Sequence, residues 1–160
     1  MKIVKDKIEI AELNEFLVKA KINTYAKDGE GGEKKLEDGG LELNFKEGVF
    51  KYRDRYLGFD PFIGQEIVWE NGKIIWGMNY YGKILSELVD IKKFLEFLKK
   101  SLLKVEKSSP FRGPKILDEG DFIYVSSYNG TIENFHGEEV IFYKNDRVYR
   151  LLFHGGLIKK

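Results

Sequence analysis

Cysteine is absent from this 160-residue chain, and only three prolines and two histidines occur. Without cysteine there can be no disulfide, iron–sulfur cluster, thiolate zinc site or cysteine nucleophile. Two histidines, His136 and His154, are too few for a histidine-rich metal site, so no metal and no cofactor are expected. Charge of one sign is also lacking. The 27 basic and 26 acidic residues leave a net charge of +1, which exerts no global pull on nucleic acid or an anionic membrane. No apolar run approaches the roughly 18 residues of a membrane span. The opening MKIVKDKIEIAEL is charged throughout, unlike a signal peptide. A cytoplasmic protein without a membrane partner is the expectation. Gly-x-Ser-x-Gly, His-Glu-x-x-His and P-loop motifs are missing, and GEGGEKK (residues 29–35) lacks both the Gly-Lys-Ser/Thr ending and a preceding apolar strand.

What is present suffices for a core. Hydrophobic residues make up 42% and aromatic residues 14%, and a chain of this length is most simply one domain, residues 1–160. Charged residues reach 33%, a bias common in thermophile proteins. Ile10, Leu13, Leu17 and Ala20 recur at helical spacing and predict a helix over Glu9 to Lys21. A second helix is predicted from Glu87 to Val105, with Ser86 or Asp90 as N-cap and Ile91, Leu95, Leu98 and Leu102 as its apolar stripe. The polar, glycine-rich stretch from Lys27 to Gly40 reads as a mobile loop.

The remainder alternates as strands do. Leu41, Leu43 and Phe45 form one half-buried strand, and a turn at Glu47-Gly48 would set Phe45 against Phe50, Leu43 against Tyr52 and Glu42 against Arg53. Asn71-Gly72 is a strong type I′ signal. Uninterrupted pairing from it would set Ile67 against Trp76 and Ile63 against Tyr80 on a core face, with Glu66 opposite Gly77 and Gly64 opposite Asn79 on the other. Further hairpins are predicted at Asn129-Gly130 and Asn145-Asp146, after a rigid Pro110-Phe111-Arg112-Gly113-Pro114 connection. The sum is an α+β domain, a curved antiparallel sheet of about eight strands packed with two helices.

Function, if legible, lies between Val49 and Gly82, which holds both tryptophans and four of the nine tyrosines. Arg53 and Arg55 share a face and present two guanidinium forks suited to carboxylate or phosphate; an Arg–Glu ladder with Glu42 is the structural alternative. Tyr52, Asp54 and Tyr56 share the opposite face. Gly64 and Gly77 inside strands mark either a bulge or a place where a ligand approaches the backbone. The candidate binding set is Tyr52, Arg53, Asp54, Arg55, Tyr56, Glu66, Asn79, Tyr80, Tyr81 and Arg112, with Trp76 divided between core and pocket wall. The leading reading is a domain that binds or senses a small polar or anionic metabolite. A second is an acid–base, hydrolase-like enzyme using Glu66 and His154, which requires the two within hydrogen-bonding reach or one water of each other. A third is a protein-interaction domain or homodimer anchored by exposed aromatics.

The segments LNEFLVKAKINTYA, YRDRYLGFDPFIGQEIVW, NGKIIWGMNYYG, PFRGP, GDFIY and YRLLFHGG together resemble an uncharacterised prokaryotic domain family, over about Leu13 to Leu157. In some proteins that domain follows an Xre-type helix-turn-helix, which implies an effector-sensing position. The stretch before Leu13 is too short for such a unit, so direct nucleic-acid binding is not expected.

Overall fold

The computed structural model describes residues 8–25 and 32–159. Helix α1 (Ile10–Tyr25) is followed by β1 (Lys34–Lys35), β2 (Leu41–Glu47), β3 (Phe50–Gly58), β4 (Phe62–Glu70) and β5 (Lys73–Ile84). Helix α2 (Ile91–Leu102) leads to β6 (Ile116–Glu119), β7 (Phe122–Thr131), β8 (Asn134–Tyr143) and β9 (Asp146–Leu157). The nine strands form one antiparallel sheet in the order β1-β2-β3-β4-β5-β9-β8-β7-β6. It is two meanders joined edge to edge, with Asn79 of β5 opposite His154 of β9. The predicted class holds, with one strand more than expected. Residues 27–31 of the predicted mobile loop, and the N-terminal stretch before residue 8, lie outside the described residues; the rest of that loop contains β1.

Both helices cover the inner face. Helix α1 buries Leu13, Phe16, Leu17 and Ala20 against it, at about 1.5–3 kcal/mol for each large side chain. Helix α2 starts at Asp90, whose carboxylate accepts the Lys93 backbone N–H. Its buried residues are Phe94, Phe97, Ser101 and Leu102, whereas Ile91 and Leu95 are exposed. The predicted stripe is therefore rotated toward the two phenylalanines.

Three turns differ from expectation. The β2–β3 loop is Gly48-Val49, which places Phe45 opposite Tyr52 and Glu42 opposite Arg55. Gly48 at φ +59° supplies the positive φ that the first position of a tight hairpin loop needs. The faces stay as predicted, because the register moves by an even number of residues. Between β7 and β8 the turn is Ile132-Glu133, and Asn129-Gly130 continues the ladder. Tertiary contact prevails over local preference here: the Trp76 indole N–H donates to the Ile132 carbonyl at 3.1 Å. The last turn is Lys144-Asn145, both at positive φ, and β8 runs as one strand from Asn134 to Tyr143 where the sequence predicts two, Thr131 to His136 and Val140 to Lys144.

Asn71-Gly72 turns as predicted, at φ +48° and +79°, but a bulge interrupts the pairing beyond it. Trp69 faces Ile74, Val68 faces Trp76, and Ile75 has no opposite residue. One extra residue inverts every side chain beyond it relative to the partner strand. Glu66 accordingly faces Met78 and Gly64 faces Tyr80, all on the inner side, while Gln65 and Asn79 pair on the outer side. This corrects the expected association of Glu66 with Asn79. It also settles Trp76, which is fully buried and stacks on Phe135.

Candidate functional site

Strand alternation aims Tyr52 and Asp54 of β3, Glu66 of β4 and Tyr80 of β5 into the interior, where all four are buried. From the second meander come Tyr124 of β7, Glu139 of β8 and Tyr149 of β9, each with no exposed surface. Lys21 of α1 and Arg112 of the buried Pro110–Pro114 connection complete a polar network inside an apolar core.

Two ion pairs organise it. The Lys21 ammonium donates to Glu66 Oε1 at 2.7 Å and to the Phe111 carbonyl at 2.5 Å. The Tyr52 hydroxyl donates to the same Glu66 oxygen at 2.6 Å. The Arg112 fork donates to both oxygens of Glu139, at 3.1 and 3.0 Å, and the Tyr124 and Tyr149 hydroxyls also donate to that carboxylate. Burial, then the Glu139 charge, hold both phenols protonated well above the usual tyrosine range. Burial likewise lowers Lys21, against the pull of Glu66.

Asp54 differs from the other two carboxylates. Its Oδ1 accepts the Tyr80 hydroxyl at 2.5 Å, and no ion pair to it forms among the described residues. Burial first, and the Glu66 charge second, push its carboxyl up to about 7, against the Tyr80 hydrogen bond and the charges of Arg112 and Lys21. The Tyr80 ring reaches Asp54 by crossing Gly64, where a Cβ would lie 2.2 Å from the phenol oxygen. That is the close approach a strand glycine permits. Gly64→Ala is expected to displace the ring, break the Tyr80–Asp54 bond and cost about 1–3 kcal/mol; the shift in the urea unfolding midpoint measures it.

A cavity of about 430 Å³ opens beside this network. Asp54, Tyr80, Arg112 and Tyr149 form its polar end. Phe62, Ile84, Phe94, Leu95, Leu98 and Leu102 are among its apolar walls. Tyr56 also lines it, its hydroxyl bonded to Glu33; burial, then that contact, raise the phenol above its ordinary range.

Of the ten candidate binding residues, Asp54, Tyr56, Tyr80 and Arg112 line this cavity. Tyr52 and Glu66 belong to the network behind it. The other four lie elsewhere. Arg55 donates two bonds to Glu42 on the outer face, the ladder weighed as the structural alternative, and Arg53 lies 5.2 Å over the Trp69 ring. Asn79 accepts from Gln65. Tyr81 is 48% exposed in an outer row with Leu57, Ile63 and Leu152, consecutive partners across β3, β4, β5 and β9. His154 is exposed on that outer side, opposite His136, while Glu66 is fully buried on the inner one. The sheet separates the proposed acid–base pair. Among the described residues no group of three or more His, Asp or Glu side chains could hold a metal ion, and no helix is long and apolar enough to cross a membrane.

Lys21, Glu139 and Tyr149 were not among the candidates. Lys21 had a legible signal: it follows Leu17 by four positions and so lies on the apolar stripe of α1. Glu139 was hidden by the strand break expected before Val140.

No curated protein and no solved structure matches this chain. A family model does match, over residues 54–158, a span that begins at Asp54 and so is shorter than the resemblance read from Leu13 onward. It includes Glu66, Tyr80, Arg112, Glu139 and Tyr149, and omits α1. The chain belongs to the family described as Domain of unknown function (DUF5680).

Proposed function

We propose that this is a small-molecule-binding domain whose ligand occupies the cavity between α2 and the inner face of the sheet. The observation that carries this reading is the cavity's make-up: apolar walls on one side, and on the other a polar end held by a buried hydrogen-bond network. Pockets of a few hundred Å³ with that division suit metabolite-sized ligands. The polar end orients the ligand, and the walls supply the apolar contact. The ligand is amphipathic rather than simply anionic, because Arg53 and Arg55 lie away from the cavity and the Arg112 fork is engaged by Glu139. A sensing role would follow from occupancy, since α2 forms one wall.

Filling the cavity tests this. Leu98→Trp places an indole in the α2 wall and is expected to abolish binding of any co-purifying small molecule seen by native mass spectrometry, with the melting temperature nearly unchanged. Retention of that molecule in the variant sinks the reading. A homodimer is a second reading, favoured by the outer row Leu57, Ile63, Tyr81 and Leu152, each 46–53% exposed. Two copies stacked sheet to sheet would cover it, and a single monomeric species in sedimentation velocity removes this reading.

A further inference from the structure

Among the described residues, five charged side chains are buried on the inner side of the sheet: Lys21, Asp54, Glu66, Arg112 and Glu139. Two are cations and three are carboxylates. Each cation is committed to its own carboxylate, Lys21 to Glu66 and Arg112 to Glu139. Asp54, the third, receives one bond from a neutral phenol. It is also the carboxylate of the three that lines the cavity. A buried charge without a partner is costly and demands one.

We infer that the cavity selects ligands carrying a cationic nitrogen on an apolar or aromatic body, with the nitrogen donating to Asp54. This rests on the small-molecule reading above and names its ligand class. The body packs against Phe62, Phe94 and Leu98, and the head reaches the polar end. The groups that face Asp54 from neighbouring elements are Glu66 of β4, Tyr80 of β5, Lys21 of α1 and Arg112 of the connection. Around the same cavity stand Tyr56 of its own strand, Tyr149 of β9, Lys99 of α2 and Glu33. Of these, Glu66 beside Asp54 and Glu33 at the cavity add negative charge and favour a cation, while Lys21, Arg112 and Lys99 oppose it; Lys21 and Arg112 are offset by their own carboxylates. Because Asp54 titrates at about 7, ligand binding is linked to loss of its proton. Affinity for a cationic head therefore rises as pH increases through that value, by about tenfold between pH 6 and pH 8.

Three probes with one ring and different heads test this by titration calorimetry on the full chain: tryptamine, its neutral alcohol tryptophol, and the carboxylate indole-3-acetate. The expected order at pH 8 is tryptamine tightest and indole-3-acetate weakest. The tryptamine advantage over tryptophol shrinks about tenfold at pH 6, and Asp54→Asn removes it at both values. Indole-3-acetate binding as tightly as tryptamine, or a tryptamine preference that survives in Asp54→Asn, overturns the inference. Equal binding of all three probes, lost in Leu98→Trp, overturns this ligand class and leaves the cavity reading standing. Absence of binding by all three in wild type, together with no co-purifying molecule, overturns both.

Discussion

Asp54→Asn is expected to raise the melting temperature by about 10 °C at pH 8 and to leave it unchanged near pH 4. In the folded protein Asp54 holds its proton up to about pH 7, whereas in the unfolded chain it loses that proton near pH 3.9. Between those values the native state binds the extra proton, so stability falls as pH rises. Above about pH 7 both states are ionised and the penalty is level. A shift of about three pH units corresponds to about 4 kcal/mol, a large share of the 5–15 kcal/mol by which domains are stable. Asparagine keeps the acceptor for Tyr80 and carries no charge, so the penalty disappears. Thermal melts of both proteins across pH 4 to 8 measure the difference. Parallel curves would show that Asp54 is compensated in the folded state.

Arg112→Ala is expected to have the opposite sign and a comparable size. It leaves Glu139 buried and charged, with two phenols donating to it and no cation. Removing one partner of a buried pair costs about 3–5 kcal/mol, which urea denaturation reads directly. The double variant Arg112→Met with Glu139→Gln is expected to recover a good part of that loss. No charge is then stranded, and the glutamine oxygen still accepts from Tyr124 or Tyr149. A single-variant loss below about 1 kcal/mol would mean that the pair behaves as a solvated surface bridge.

Asp54 and Arg112 are neighbours that the amino-acid pattern treats unequally. Period-two alternation was sufficient to place Tyr52, Asp54 and Tyr56 on one face, and a two-residue error in the β2–β3 register did not disturb it. The same alternation misplaced Glu66, because nothing around Val68 or Ile75 announces a bulge and a shift of one residue inverts a strand. Asn71-Gly72 was readable since both residues need positive φ. Asn129-Gly130 was misleading because the Ile132 carbonyl is held by Trp76, 56 positions away in sequence. The pairing of Lys21 with Glu66 and of Arg112 with Glu139 spans 45 and 27 positions, and local pattern carries no information on contacts of that range. Arg112 could be proposed from its proline-bracketed setting, but its partner could not. The cavity's apolar walls come largely from α2, whose stripe was read one position away from Phe94 and Phe97.

The seam between β5 and β9 has a consequence for how the domain matures during synthesis. Asp54 and Tyr80 are made before Arg112, and Glu139 and Tyr149 after it. Until β9 leaves the ribosome, the long edge of β5 from Trp76 to Ile84 has no second partner, and an unpaired edge is a template for the wrong strand. Contacts this distant in sequence also close slowly. The nascent chain thus exposes that edge until β9 has been made, and the polar end of the cavity comes into being in the same step that covers that edge.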